Sequence, residues 1–187
     1  MDAYVYLRVA PGKVEDVVIA LRGRRGVRHA VAVVGEWDVM AALEGADFQA
    51  IAGTVLRQVQ SVEGVLQTTT TPVVPLDVLG IHGGGWALPA LPMHRQGDAC
   101  YVHVRSAAGA VPGIVEALAE LEPVTGVAVV AGEYDVLAEV ALPWERAAPV
   151  ILEQIHAIPG IMATSTSVSL EEIPGDDVET DQFSSWA

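Results

Sequence analysis

The chain consists of two copies of one sequence unit. The segment YVYLR at residues 4–8 returns as YVHVR at residues 101–105, and GEWDV at 35–39 returns as GEYDV at 132–136. Aligned without gaps, residues 3–42 and 100–139 share 16 identities in 40 positions. After a one-residue deletion, Leu56, Gln58, Gly64, Thr68 and Thr70 align with Leu152, Gln154, Gly160, Thr164 and Thr166. Such a repeat restricts the fold more than any single motif, because each copy must form the same supersecondary unit.

The residue pattern of each unit predicts the element order βαββαβ. In the first copy the predicted elements are a strand at 4–9, a helix with apolar Val14, Val17, Val18 and Leu21, strands at 27–34 and 38–43, a helix with an apolar face of Phe48, Ile51, Val55, Leu56 and Val59, and a strand at 65–74. Asp47 is the expected N-cap of the second helix and Gly64 its expected end. Gly35-Glu36 suits a two-residue hairpin, because glycine adopts the positive φ of a type II′ turn.

These elements predict an α+β fold of tandem ferredoxin-like repeats. Four antiparallel strands carry two helices on one face, which leaves the other face of each sheet apolar and uncovered. We therefore expect the two sheets to pack face to face as an intramolecular pseudo-dimer, with strand edges and helix faces left free for further association. The expected divisions are repeat 1 at 1–74, a crossover at 75–99, repeat 2 at 100–170 and an acidic, flexible tail at 171–187. A docking peptide for a basic partner is the alternative for that tail.

The crossover contains Ile81-His82-Gly83-Gly84-Gly85-Trp86, which is similar to the oxyanion-hole segment of some esterases. An esterase of that kind also needs a serine in a Gly-x-Ser-x-Gly elbow, and none of the seven serines has that context. The segment is therefore interpreted as a packed connection between the repeats, not as part of a hydrolase.

Charge argues against a nucleic-acid partner. The net charge is −14, and only Arg22, Arg24, Arg25 and Arg28 approach a basic cluster, whereas binding to phosphate requires many clustered cations. No apolar run approaches the ~18–20 residues that cross a bilayer, and no signal peptide is recognisable. With one cysteine, Cys100, we expect a cytoplasmic protein without an internal disulfide. No two of the five histidines have a metal-binding spacing, so no metal or cofactor is expected.

Both halves resemble the effector-binding domain of Lrp/AsnC regulators, also called the RAM domain. The likeness rests on the opening YVxxR strand, the Gly-Glu-(Trp/Tyr)-Asp-Val hairpin and the closing Gly-(Val/Ile)-x-x-Thr-x-Thr, and it covers residues 3–74 and 100–170. Full-length regulators carry a helix-turn-helix domain before this unit. The present sequence starts with the first strand, so it is more similar to stand-alone RAM proteins, in tandem.

The resemblance implies a small-molecule effector, usually an amino acid, bound at contacts between domains. The implied effector-binding residues are Gly35, Trp37, Asp38, Thr68 and Thr70 in repeat 1 and Gly132, Tyr134, Asp135, Thr164 and Thr166 in repeat 2. It also implies a homo-oligomer or a mixed assembly with related regulators, and no catalysis. Trp37 stands where the family has tyrosine, so the two sites are expected to differ.

Two alternatives remain open. The glycine, aromatic and aspartate can serve turn formation alone, and strand threonines are common without any function. Tandem ferredoxin-like units also occur in dimeric α/β-barrel enzymes, including cofactor-free monooxygenases and haem-degrading proteins. His103 and Trp37 would be the candidates for chemistry in such an enzyme, although His103 is more simply interpreted as a partly buried or surface strand residue.

Overall fold

The computed structural model describes residues 1–80 and 99–170, which form two βαββαβ repeats. Repeat 1 contains β1 (Asp2–Val9), α1 (Val14–Arg22), β2 (Val27–Val34), β3 (Val39–Glu44), α2 (Phe48–Thr54) and β4 (Val65–Val74). Repeat 2 contains β5 (Cys100–Ser106), α3 (Val111–Ala119), β6 (Val124–Val130), β7 (Val136–Val140), α4 (Trp144–Pro149) and β8 (Ile161–Ser169). The predicted order of elements is confirmed in both copies.

The second helix of each repeat changes pitch, which the sequence did not predict. Asp47 caps α2 as expected, its side chain accepting a 2.8 Å hydrogen bond from the Ala50 N–H. The helix then continues as a π-helical segment, Val55–Val59, and α4 continues in the same way as Val150–Ile155. Gly64 follows with φ of 94°, a conformation that favours glycine, and β4 begins at the next residue.

The hairpin between β2 and β3 differs from the prediction. Four residues, Gly35 to Asp38, separate the two strands, so the expected two-residue turn at Gly35-Glu36 is wrong. The backbone of Asp38 still bonds to both neighbouring strands, because its N–H donates to the Leu7 carbonyl and its carbonyl accepts from the Val33 N–H. The preceding loop residues carry Trp37 clear of the strands, where its ring contacts Tyr6.

The eight strands form one closed sheet in the order β1-β3-β2-β8-β5-β7-β6-β4. Two short antiparallel seams join the repeats, with Val33 opposite Ser169 and Val73 opposite Val130. The expectation that strand edges stay free is therefore wrong at these four strands. Each edge strand finds a partner in the other repeat, which satisfies backbone groups that would otherwise be exposed.

Strand alternation divides the apolar residues between two kinds of core. In β1 the side chains of Val5 and Leu7 face the helices, whereas Tyr4 and Tyr6 face the interior between the two sheets. Tyr101 lies in the same interior cluster, fully buried like Tyr4. The face-to-face packing of the repeats thus rests mainly on aromatic and aliphatic side chains from both copies.

The connection between the repeats is described only at its start, where a 3-10 helix spans Leu76–Leu79 and packs against the core of repeat 2. The IHGGGW segment and the acidic tail lie outside the described residues. Among the helices that are described, none is long and apolar enough to span a membrane.

Candidate functional site

Each glycine-containing hairpin lies against the last strand of the other repeat. A Cβ atom on Gly35 would lie 3.1 Å from the Ser167 Oγ and from the Thr166 carbonyl oxygen of β8. A Cβ atom on Gly132 would lie 3.2 Å from the Thr71 Cγ2 of β4. Glycine at these two positions therefore permits a close approach of the hairpin backbone, which explains the glycine in the repeated Gly-Glu-aromatic-Asp segment.

The hairpin aromatics meet at the centre of the joint between the repeats. The His103 ring lies 5.2 Å from Tyr6 and 5.3 Å from Tyr134, and Tyr6 lies 6.2 Å from Trp37. Arginines cover the outer ring faces, with the Arg8 guanidinium 5.0 Å from the Trp37 ring. The cavity among these rings measures about 30 Å³. Since ligand pockets usually measure about 300–1,000 Å³, this cavity has the size of a water site and does not fit an amino acid.

His103 is a buried polar residue, contrary to the expectation from the sequence. Only 4% of its surface is exposed, so the expectation of a partly buried or surface histidine is wrong. Its Nδ1 lies 3.2 Å from the Ser165 carbonyl oxygen, and its Nε2 has no hydrogen-bond partner among the residues of the two described ranges. Burial lowers the pKa of His103 to about 4, because the charged imidazolium is poorly solvated there, while the bond to Ser165 partly opposes the shift. The sequence feature that indicates this burial is the alignment of His103 with Tyr6, which is a core residue.

The two predicted aspartates bind the backbone of their own repeat. The Asp38 Oδ2 accepts a 2.8 Å hydrogen bond from the Val9 N–H. The Asp135 Oδ2 accepts hydrogen bonds from the Ser106 N–H at 2.7 Å and from the Ser106 Oγ at 2.9 Å. Both carboxylates thus fix the hairpin to the end of the first strand, which agrees with the alternative that assigned them to turn formation.

The predicted threonines lie on the opposite face of the sheet from the aromatic cluster. Strand register pairs Thr68 with Leu7 and Thr70 with Val5, whose side chains face the helices. Thr68 accepts a 2.9 Å hydrogen bond from the Gln60 side chain. In repeat 2, Thr166 and Thr164 pair with Val102 and Val104 in the same way, and Thr164 lies 2.7 Å from the His156 Nε2. The interior face of β4 instead carries Thr69 and Thr71.

The ten predicted residues therefore do not line one cavity. Trp37 and Tyr134 border the central joint, whereas the four threonines lie on the helix-bearing side. Asp38 and Thr68 lie at the same level of the sheet, because their backbones flank Leu7 on opposite sides of β1. With strands ~4.8 Å apart, the backbones of these two residues are about 10 Å apart.

Exposed apolar side chains lie close in sequence to the threonines. Leu66, at the bulge of β4 two residues before Thr68, is 68% exposed, and Leu56, four residues before Gln60, is 63% exposed. Leu152 and Met162 occupy the equivalent positions of repeat 2 and are equally exposed. Ile51, Val55 and Val59 are buried as predicted, but Phe48 and Leu56 are not, so the predicted apolar face of this helix is wrong at those two positions. Large exposed apolar groups repeated in both copies are typical of an interaction surface.

A separate open groove of about 840 Å³ lies at the other end of repeat 1. Arg25 and Arg57 line it together with Asp2, Glu44 and the chain start, and none of the ten predicted residues does. Across residues 1–80 and 99–170, no group of three metal-binding side chains converges on one point.

Comparison with known proteins agrees with the repeat. The family model for the Lrp/AsnC ligand binding domain matches residues 2–75 and 99–177. No protein of curated function matches the chain significantly. The structure of E. coli AsnC matches 54% of this chain and 68% of that chain, with 21% identity and a TM-score of 0.38.

Other solved structures match both repeats at once. The siroheme decarboxylase NirDL covers 91% of this chain and 71% of its own, with a TM-score of 0.65 and 10% identity. An anthrone oxidase-like protein covers 91% and 90%, with a TM-score of 0.51 and 8% identity. At such identities the likeness concerns the fold alone. The two segments that match the family model make up most of the sequence, and the chain belongs to the Lrp/AsnC ligand binding domain family, with two copies in tandem.

Proposed function

We propose that this protein is a non-catalytic module that binds a small effector, an amino acid, and assembles with other copies or with related regulators. The observation that carries the proposal is the last strand of each repeat, where an exposed leucine or methionine lies two residues before a hydrogen-bonded threonine at equivalent positions. Such a surface supplies both an apolar contact area and hydroxyl groups. Family membership supports the same function.

The proposed effector site uses the sequence-derived residues at this surface. Hydroxyl groups of Thr68 and Thr70 would hold the effector carboxylate, and Asp38 would attract its ammonium group. Leu66 would contact the apolar side chain of the effector. In repeat 2 the same parts fall to Thr164, Thr166, Asp135 and Met162.

Assembly is part of the proposed function. Burial of four large apolar side chains, each more than 60% exposed in the single chain, would favour contact between copies. An effector bound at that contact would shift assembly by its differential affinity for the assembled and free states. We propose that a related regulator, not this acidic chain with net charge −14, makes any contact with DNA.

A thermal-shift screen with the twenty amino acids tests the proposal. A ligand present at 100 times its Kd should add about 2.7 kcal/mol to the free energy of unfolding. The Thr68→Val/Thr164→Val variant should lose that response, and the Thr69→Val variant, altered on the interior face, should keep it. A flat response to all twenty amino acids would contradict the amino-acid assignment.

The second candidate is an enzyme with its site in the central joint. Two observations favour it: the neutral, buried His103 with its unpartnered Nε2, and the shared two-repeat fold of NirDL, a siroheme decarboxylase. The 30 Å³ cavity opposes it, because no tetrapyrrole or quinol fits that space. An absorption spectrum after addition of haem separates the two functions, since a new Soret band that is lost in His103→Ala would favour the enzyme.

A further inference from the structure

The open groove at the other end of repeat 1 contains two arginines whose charges are not neutralised within the described part of the chain. Arg25 lies in the turn between α1 and β2, and Arg57 lies in the π-helical segment that continues α2. Both are exposed, and neither guanidinium forms a hydrogen bond or an ion pair with the residues of 1–80 and 99–170. The groove therefore offers two positive charges to a ligand.

Two glycines bring these arginines to one place. A Cβ atom on Gly53 would collide with the Arg57 Nη2, so the guanidinium lies against bare helix backbone one turn before its own position. A Cβ atom on Gly26 would lie 2.8 Å from the Thr54 Oγ1, so the turn that carries Arg25 lies against the same part of the helix. Since Gly53 and Thr54 are neighbours in sequence, Arg25 and Arg57 border the groove at adjacent points.

The acidic side chains of the groove leave an excess of positive charge. Asp2 and Glu44 also line it. The Asp2 carboxylate is paired with the Arg28 guanidinium at 3.6 Å, whereas Glu44 has no ion pair within the two described ranges. Two unpaired arginines thus stand beside one unpaired glutamate, which can accept a hydrogen bond from a donor on the same ligand.

Repeat 2 does not reproduce this charge. At the four aligned positions, glutamate replaces each arginine and proline replaces each glycine: Glu122, Pro123, Pro149 and Glu153. Arg146, aligned with the groove residue Ala50, offsets one of the two negative charges only. An anion should therefore find one site per chain, on repeat 1.

The groove lies at the opposite end of the sheet from the proposed effector site. Asp2 and Glu44 pair at one end of the ladder between β1 and β3, and Leu7, which pairs with Thr68 of β4, lies at the other end. A ligand in the groove is therefore separate from an effector at the threonines, and the two sites can be tested independently.

We propose that this groove binds a small organic dianion, either a phosphate monoester or a dicarboxylate. Each guanidinium can donate two parallel hydrogen bonds to the oxygens of such a group, and two arginines match its double charge. Thr54 supplies a further hydroxyl donor, and Glu44 accepts from a hydroxyl group of the ligand. The volume of about 840 Å³ lies within the usual range of ligand pockets, about 300–1,000 Å³.

Calorimetric titration of the full chain at low ionic strength tests the site, with ribose 5-phosphate and succinate as separate probes. At least one probe should bind saturably, with one site per chain, and the tighter probe identifies the anionic group. Arg25→Ala and Arg57→Ala should each weaken that binding about tenfold or more, because each loses a charge-assisted hydrogen bond. Arg24→Ala, at the neighbouring arginine outside the groove, is the matched control and should bind like the wild type.

Two further variants keep the test decisive if an alanine variant is poorly folded by circular dichroism. Glu44→Gln should strengthen binding several-fold, because an unpaired negative charge beside the ligand is removed, and a damaged fold cannot produce such a gain. Gly53→Ala should weaken binding, although alanine favours a helix more than glycine does, because its methyl group displaces the Arg57 guanidinium.

The proposal is overturned if neither probe binds, if two equal sites per chain appear, or if both arginine variants bind like the wild type. The Thr68→Val/Thr164→Val variant should bind the anion like the wild type. Loss of the amino-acid response with intact anion binding therefore contradicts neither site, and a failure of this site is distinguishable from a failure of the proposed effector site.

Discussion

The carboxylate of Asp38 accepts a 2.8 Å hydrogen bond from the backbone N–H of Val9. This bond joins the hairpin between β2 and β3 to the end of β1, and Asp135 makes the equivalent bond to Ser106 in repeat 2. The aspartate of the Gly-Glu-aromatic-Asp segment is therefore part of the structure of each repeat, whether or not it also contacts an effector.

The Asp38→Ala variant should be destabilised by about 1–3 kcal/mol, because the N–H of the buried Val9 loses its acceptor. Urea unfolding measures the change. Asp38→Asn should lose less, since its amide oxygen can still accept the bond. Asp16→Ala is the control, because its ion pair with Lys13 is exposed and should contribute little to stability. Equal losses in Asp38→Ala and Asp16→Ala would refute a structural role for Asp38.

His103 should make the stability depend on pH. Its pKa is about 4 in the folded protein, against an ordinary value of 6.5 for an exposed histidine, so between these values the unfolded chain binds the extra proton. The free energy of unfolding should therefore rise as pH increases from 4 to 6.5, with a contribution of roughly 3 kcal/mol from this group.

Urea unfolding at pH 5 and pH 7 in the wild type and in His103→Gln measures the part of that contribution that lies between these two pH values. The variant cannot titrate, so the difference between its two stabilities should be smaller than in the wild type. His156→Gln, altered at an exposed histidine, should retain the wild-type difference. The same pH dependence in His103→Gln as in the wild type would show that other groups cause it.

Cys100 should be almost unreactive in the folded protein. Its side chain is fully buried, and burial, with a smaller contribution from Glu145, raises the pKa of the thiol to about 11. At pH 8 the reactive thiolate should be about 100-fold scarcer than for a thiol with the ordinary value. A thiol-disulfide reagent should modify Cys100 slowly in buffer and rapidly in urea, and equal rates would show that the site opens readily.

The sequence was sufficient to predict most of the fold. Because the sequence repeats, the same βαββαβ unit had to form twice. The first helix followed from the apolar spacing of Val17 and Leu21, and the start of the second followed from the cap at Asp47. The sequence was not sufficient for the π-helical segments or for the exposure of Leu56. Both depend on how the second helix lies across the sheet. A period of 3.6 residues predicts that Leu56 is buried, but Leu56 lies in the π-helical segment, where that period no longer applies.

The spatial arrangement of the predicted site residues did not follow from the sequence. Residue spacing marks Thr68 and Thr70 on one face of β4, but only the register with β1 shows that this face is opposite the aromatic cluster. His103 went unrecognised because its ring partners are distant in sequence: Tyr6 lies in the other repeat and Tyr134 lies beyond the next helix and strand. Contacts of that range follow from the closed sheet, not from local pattern.

Calorimetric titration with the most stabilising amino acid tests effector binding at the outer surfaces most directly. The wild type should bind saturably, and the Thr68→Val/Thr70→Val/Thr164→Val/Thr166→Val variant should not bind, because the hydroxyl groups that hold the carboxylate are gone. The Thr69→Val/Thr71→Val variant, altered on the interior face of β4, should bind like the wild type. Binding that survives in the four-residue variant, or that is lost in the interior variant alone, would contradict an effector site at the threonine-bearing surfaces.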